Sequence, residues 1–502
     1  MSEPALRAEA LPGEASRPAP TLLLSRSSVN DFLHLLLRDR TEVTVPLGFV
    51  LAVLVTIHVL LRQREVASAV GWIAFAWFAP ITGSLIYVLF GINRVRQRAR
   101  LMRPPAHRHA GRAPWPSPIE DDHLDPLDRG IGQITARPLL AGNAVAIYHD
   151  GDAAYPPMLA AIEAAKHSIG LSSYIFRDDR TGGQFIDALA AAHDRGVTVC
   201  VLIDGIGGGW LLSPVYHRLR ARGVPAARFL HSPLPWRMPF LNLRSHRKIL
   251  VVDGNIGFTG GINIADENVL ATHPKKPVSD THFRIQGPAI AQLAAAFAQD
   301  WAFATGEGLA GDAWFPDLAD TGTAPARVVD SGPDEDIEKV EFAVLQAVAC
   351  AQQSIAVMTP YFLPDGRLVS ALSLAAMRGV SVDIVVPQFG NHHLVNWATY
   401  ANIGPLLSDG VRIWQCPPPF RHSKVMVVDG EWCLIGSCNW DIRSFRLNFE
   451  LCMEVYDRDL AATLAALMQE CRGAALTQQT LDARSLPIRL RDAGARLMMP
   501  YL

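Results

Sequence analysis

The chain has 502 residues, 46 of them Lys or Arg and 48 Asp or Glu, for a formal net charge of -2, and 49% are hydrophobic. That balance argues against bulk nucleic-acid binding, which draws on an excess of cations. Its seven cysteines, odd in number and without disulfide-like spacing, fit a reducing compartment. The length suits two packed lobes and an anchor.

Residues 1–43 read as a largely disordered tail, its first part rich in Ala, Pro, Glu and Ser. No cleavable signal peptide is evident, because the first apolar run begins too far from the start. Residues 44–93 predict a two-helix transmembrane anchor: Val45–Leu61 and Val66–Ile92 are uncharged apolar runs of 17 and 27 residues, separated by Arg62, Gln63, Arg64 and Glu65. Pro80 is expected to kink the second helix, with Trp72 and Trp77 near an interface. Arg94, Arg96, Arg98, Arg100 and Arg103 follow at once. The positive-inside rule puts that side, and the C-terminal region with it, in the cytoplasm. The same cluster can hold anionic headgroups at the bilayer.

A basic, Pro-rich linker at 94–128 leads to a first half at 129–305, a joint at 306–325, a second half at 326–475 and a tail at 476–502. Leu486–Leu502 in that tail mixes arginines with apolar residues, suited either to packing on the core or to lying on a membrane surface. The halves echo one another. Lys166-His167-Ser168-Ile169 leading into Tyr174 is matched by Gln352-Gln353-Ser354-Ile355 leading into Tyr361, and Arg195-Gly196-Val197 by Arg378-Gly379-Val380. Each half alternates helix and strand, which predicts an α/β fold of two related sandwiches facing each other across a pseudo-two-fold axis, with the site between them.

The sharpest repeat is His246, Lys248, Asp253, Gly260 and Asn263, found again as His422, Lys424, Asp429, Gly436 and Asn439, each displaced by 176 residues. Only six of the 46 basic residues are lysines, and two of those stand in the repeat. In each copy His and Lys lie two apart at the head of an apolar run, hence on one face of a strand. Asp253-Gly254 and Asp429-Gly430 are tight-turn signals of β-hairpins, which makes the aspartates structural supports. The glycines are expected to let backbone approach whatever the histidines face.

One imidazole can attack phosphorus while a second protonates the leaving alkoxide from the other side. Lysine ammonium and asparagine amide suit the non-bridging oxygens. The residues therefore predict phosphodiester chemistry through a phosphohistidine, with either histidine as nucleophile. Group exchange of that kind needs no ATP, metal or other cofactor, and the chain has no Walker A loop. Cys416, His422, Cys433 and Cys438 lack the spacing of a zinc site. His107, His109, His392 and His393 read as solvated polar stretches, and Trp236, Trp397, Tyr174 and Tyr361 as core or pocket wall.

The doubled His-x-Lys-x-x-x-x-Asp motif resembles the phospholipase D superfamily. Asn242 to Lys248, Phe258 to Asn263, Asp280 to Phe283 and Asn439 to Glu450 look like bacterial, membrane-anchored cardiolipin synthases, over roughly residues 46–502. The chain departs from that pattern at Val278-Ser279, where a Trp-Arg pair is usual, and at Pro419. The resemblance implies transfer of a phosphatidyl group between two phosphatidylglycerol molecules, giving cardiolipin and glycerol, at the cytoplasmic face of a bacterial inner membrane. It implies His246 as nucleophile, His422 as acid and then base, and Asp280 and Glu450 as carboxylates behind the histidines. Its partners would be phosphatidylglycerol and other membrane lipids, with no nucleic acid; no feature specifies an oligomeric state. A phospholipase D-type hydrolase giving phosphatidic acid is the main alternative, and a catalytically silent membrane scaffold the third reading, which the intact motif residues disfavour.

Overall fold

The structure is a computed structural model that describes residues 40–62, 66–91, 115–119, 123–209, 212–231, 243–332 and 338–499. The tail before residue 40, the arginine cluster after Ile92, His107, His109, Trp236 and the turn residues 63–65 lie outside the described residues. The chain forms two compact units divided after Ile92.

In the first unit, helix Arg40–Arg62 contains an apolar segment, Val43–Arg62, of 20 residues, long enough to cross a bilayer. Among the described residues it is the one helix that meets that length. The second apolar run is broken rather than kinked: helix Val66–Phe78, helix Pro80–Ile86 and a π turn Tyr87–Gly91 follow one another. The cause is Pro80, which lacks an N–H and starts a new helix at its first turn after Ala79 at φ -135°. The runs pack through Val55, Val59, Ala76 and Tyr87, and Trp77 Nε1 donates to Thr56 Oγ1 at 3.0 Å. Leu60, Leu61, Val66 and Phe78 stay exposed, an apolar surface of the kind that lipid covers.

The second unit is built on a sheet of 15 strands among the described residues. Its seam is the antiparallel pair Leu140–His149 and Ala324–Ser331. Outward on one side come Thr281–Gln286, Ile256–Gly260, Ile249–Val252, Ser168–Ser173, Thr198–Asp204 and Ala226–Phe229. On the other side come Glu450–Tyr456, Trp432–Gly436, Val425–Val428, Ser354–Met358, Ser381–Pro387, Arg412–Cys416 and Ala475–Leu476. The order is thus the same on both sides, strand for strand, until the last. The strands beside the seam pair antiparallel, and those from Ser168 to Ala226 and from Ser354 to Arg412 run parallel through helical crossovers, with the last strand, Ala475–Leu476, antiparallel to its neighbour.

The motif strands Ile249–Val252 and Val425–Val428 are buried on both faces, which is why they are unbroken apolar runs. Ile249, Val251, Val425 and Val427 join a core shared by both halves under helices Ile290–Thr305 and Arg458–Glu470. The alternate residues Leu250 and Val252 face helices Asp150–Ala164 and Arg180–Asp194, while Met426 and Val428 face helices Lys339–Cys350 and Gly366–Met377. One boundary shifts. Helix Asp125–Thr135, which straddles the expected start of the first half, packs Leu127 and Ile131 into the core of the second. Arg327 of the second half bonds its Asp128 carbonyl at 3.0 Å.

Candidate active site

Each motif copy forms a hairpin whose turn has two left-handed residues, Asp253 and Gly254 at φ 51° and 58°, Asp429 and Gly430 at 51° and 70°. The aspartates point away from the histidines. Asp253 accepts from the backbone N–H groups of Lys166, His167 and Ser168, the closest at 2.7 Å. Asp429 accepts from those of Gln352, Gln353 and Ser354, the closest also at 2.7 Å, and from His123 Nε2 at 2.9 Å. Gly260 and Gly436, at φ 148° and 155°, do permit close approach, but to the neighbouring strand. A Cβ there would lie 2.7 Å from Thr281 O and 2.3 Å from Leu451 O.

The histidines meet carboxylates from the opposite halves. His246 Nδ1 lies 3.1 Å from Glu450 Oε1, and His422 Nδ1 lies 2.7 Å from Asp280 Oδ2. Backbone pairing between the halves sets this register: His246 N donates to Phe449 O at 2.9 Å, Phe449 N to Arg244 O at 2.8 Å, and His422 N to Ser279 O at 2.7 Å. The strands Val278–Ser279 and Phe420–Arg421 run parallel as partners. The two departures from the family pattern, Val278-Ser279 and Pro419, are therefore neighbours in space. Each carboxylate is seated. Ser437 Oγ donates to Glu450 Oε2 at 2.6 Å and Asn448 Nδ2 to Glu450 Oε1 at 3.2 Å. Gly261, at the position matching Ser437, leaves the room that Asp280 fills, since a Cβ would meet Asp280 Oδ1 at 2.1 Å.

Exposure separates the two kinds of group. The side chains of His246 and His422 are 17% and 16% exposed, whereas Glu450 and Asp280 are at 0%. The histidines reach solvent and the carboxylates stand behind them. With Nδ1 engaged, Nε2 is the nitrogen left for chemistry. Lys248 Nζ donates to His246 O at 2.7 Å, and Lys424 Nζ to His422 O in the same way. The Tyr174 ring lies 4.3 Å from His246, and Tyr361 lies 6.4 Å from His422, so both tyrosines are pocket wall.

Burial lowers the imidazoles of His246 and His422, the latter to about 4, against the pull of Glu450 and Asp280 respectively. Burial also lowers Lys248, and brings Lys424 to about 7. It would raise the carboxyls, but Lys424 and His422 around Asp280, and His246 and Lys248 around Glu450, outweigh it and hold both below the usual range. At neutral pH the unliganded site thus has ionised carboxylates, uncharged imidazoles and weakened ammonium groups. An anion entering beside them would raise the proton affinity of each nitrogen.

The asparagines differ. Asn263 Oδ1 accepts from Ile175 N at 3.2 Å, a structural use, whereas Asn439 Oδ1 is buried without a protein partner. Some residues of the site had no signal of their own in the sequence. Asp204 ends a strand and accepts from Ser245 N at 2.8 Å, anchoring the segment of His246. Asn448 Nδ2 lies 3.2 Å from His246 Nδ1. His282, two residues after Asp280, is fully enclosed and lowered to about 4 by burial.

Two family profiles match this chain. One is described as Cardiolipin synthase, PLD-like domain, at residues 158–301 and 344–472, and the other as Phospholipase D-nuclease N-terminal, at residues 50–91. Cardiolipin synthase of Geobacillus kaustophilus is 33% identical over 463 residues, 90% of this chain and 92% of that protein. Major cardiolipin synthase ClsA of Bacillus subtilis is 32% identical over 489 residues, 92% and 99% of the two chains. The crystal structure of phosphatidylserine synthase from Haemophilus influenzae superposes with a TM-score of 0.59 at 16% identity, over 75% of this chain and all of that one, a likeness of fold.

Proposed function

The chain belongs to the phospholipase D-like cardiolipin synthase family, and from that premise we propose that it transfers a phosphatidyl group from one phosphatidylglycerol to the terminal hydroxyl of another. The observation that carries this reading is the pair of partly exposed imidazoles, each held at Nδ1 by a buried carboxylate from the other half. Two rings oriented at Nδ1 and two ammonium groups suit an in-line exchange at phosphorus.

In the proposed cycle the donor phosphate settles among Lys248, Lys424 and the carboxamide of Asn439, and its charge draws a proton onto His422. His246 Nε2 attacks phosphorus, the glycerol alkoxide leaves with the proton of His422, and a phosphatidyl-His246 remains. The hydroxyl of the second phosphatidylglycerol gives its proton to His422 and attacks the same phosphorus. The P–N bond breaks, cardiolipin forms and His246 is free again. Glu450 holds the nucleophile and compensates the positive charge it acquires, and Asp280 does so for His422. Asp253 and Asp429 act on the fold alone.

Donor and acceptor are confined to one surface, which favours alcohol over water as acceptor. The apolar helix Arg40–Arg62 supplies membrane attachment. A second pass by Val66–Ile92, and a cytoplasmic catalytic unit, are supported by the arginines at 94, 96, 98, 100 and 103. The test is to give the full-length protein phosphatidylglycerol vesicles without CDP-diacylglycerol or metal. Cardiolipin and glycerol in equal amounts are expected, together with an acid-labile phosphatidyl-enzyme that is lost in His246→Ala. Phosphatidic acid as the main product would assign hydrolysis instead.

A further inference from the structure

Helix Leu486–Arg496 lies against helix His393–Asn402, with Ala495 and Met499 buried among Val395, Ala398 and Leu363. Asp492 turns inward on the same face, paired with Arg484 at 2.8 Å. The opposite face is apolar as well. Leu486, Leu490 and Leu497 are 67%, 64% and 77% exposed, and at 100° per residue they fall on one stripe about 40° wide. Arg489 and Arg496 lie together along one edge of that stripe, also exposed. Met498 on the same segment, and Phe389 and Leu394 on the partner helix and the loop before it, are exposed too. An outward leucine stripe edged by arginines, on a helix already anchored by its other side, is the composition of an interfacial helix.

The helix pair that carries the patch is linked to the histidine site. Tyr361 packs against the cluster that joins the two helices, and its hydroxyl donates to Asn391 Oδ1 at 2.6 Å. Its ring lies 5.6 Å from His392, which caps helix His393–Asn402, and 6.4 Å from His422.

We propose that this face docks the catalytic unit on an anionic phospholipid bilayer, the leucine stripe entering the boundary between headgroups and acyl chains and Arg489 and Arg496 meeting lipid phosphates. Docking there brings the cleft to headgroup depth, so that a phosphodiester can reach the histidines while its acyl chains stay in the membrane. The proposal rests on the reading of the site as one for lipid phosphodiesters.

Two measurements on full-length protein test it. A bimane label on cysteine introduced at Leu490 or Leu497, in proteoliposomes of phosphatidylglycerol, is expected to lose at least half its emission to lipids carrying a nitroxide on the acyl chain, whereas a label at Leu374, 56% exposed on helix Gly366–Met377, keeps it. Equal emission at the three positions overturns the proposal, as does efficient crosslinking between chains at Leu497 in place of quenching, which would give the stripe to a second copy. The double variant Leu490→Asp, Leu497→Asp is expected to turn over vesicle phosphatidylglycerol about tenfold more slowly and monomeric dihexanoyl-phosphatidylglycerol at the parent rate. Unchanged rates on both substrates, or an equal loss on both with labels unquenched, overturn it. Absence of any phosphodiester turnover by the parent chain would remove the lipid reading of the site, and the quenching measurement would still decide the docking.

Discussion

The imidazoles of His246 and His422 are largely buried, uncharged at neutral pH and each backed by a carboxylate of 0% exposure. Changing Glu450 to Gln keeps the shape and removes the charge that offsets a cationic phosphohistidine, so turnover is expected to fall by about 10²- to 10⁴-fold with little change in KM. Asp280→Asn is expected to do the same through His422. Losses under threefold in either variant would show that the carboxylates only fill space. Lys424 carries a pH signature. Its ammonium, lowered to about 7 by burial, would bind the phosphate only when charged. Because kcat/KM reports the free enzyme, its decline with pH, set first by the proton on His422, is expected to steepen above about 7 by up to a further tenfold per unit. Arginine stays charged across that range, so Lys424→Arg is expected to lose this added steepness even at lower absolute activity. A steepness unchanged in that variant would assign it to another group. All twelve motif and carboxylate positions were legible as residues; which carboxylate serves which histidine was not, because that crosses 142 residues in one pair and 204 in the other.

Among the elements, the residue between His246 and Lys248 does as much for geometry as its neighbours do for chemistry. Alternation along the chain turns Arg247 inward, where it is 0% exposed. Its guanidinium reaches Asp300 Oδ1 at 2.8 Å, Glu450 O at 3.1 Å and Ser331 O at 3.2 Å, tying the first motif to the seam and to the strand of its own carboxylate. Arg247→Met would remove the guanidinium that pairs with the buried Asp300 and is expected to cost about 3–5 kcal/mol of stability. Denaturant unfolding of the variant in detergent checks this, and an unchanged midpoint would mean that the residue is not a tie. The Asp-Gly turns were readable from the chain, since two successive left-handed residues favour that dipeptide. The N–H groups that the aspartates capture were not, being 75 to 87 residues upstream. Pro80 was readable as an interruption, but whether a helix bends or restarts there depends on the packing around it.

For the whole molecule, reciprocal pairing means that neither half holds a complete histidine–carboxylate unit. Co-reconstituted His246→Ala and His422→Ala chains are accordingly expected to show no cardiolipin formation above either alone. Recovery toward a quarter of the parent activity would place the site between chains. The sequence by itself determined the chemistry and the duplication, because residue types at fixed spacing on strands and turns obey local rules: period two, left-handed glycine turns, apolar runs long enough for a bilayer. It also marked the C-terminal segment as amphipathic without choosing its use. Only the tertiary structure decided that the carboxylates cross over, that helix Asp125–Thr135 serves the second half, and that the leucines of the last helix face outward. Those are matters of which surfaces meet, set by burial summed over distant segments, and no short stretch of chain encodes them.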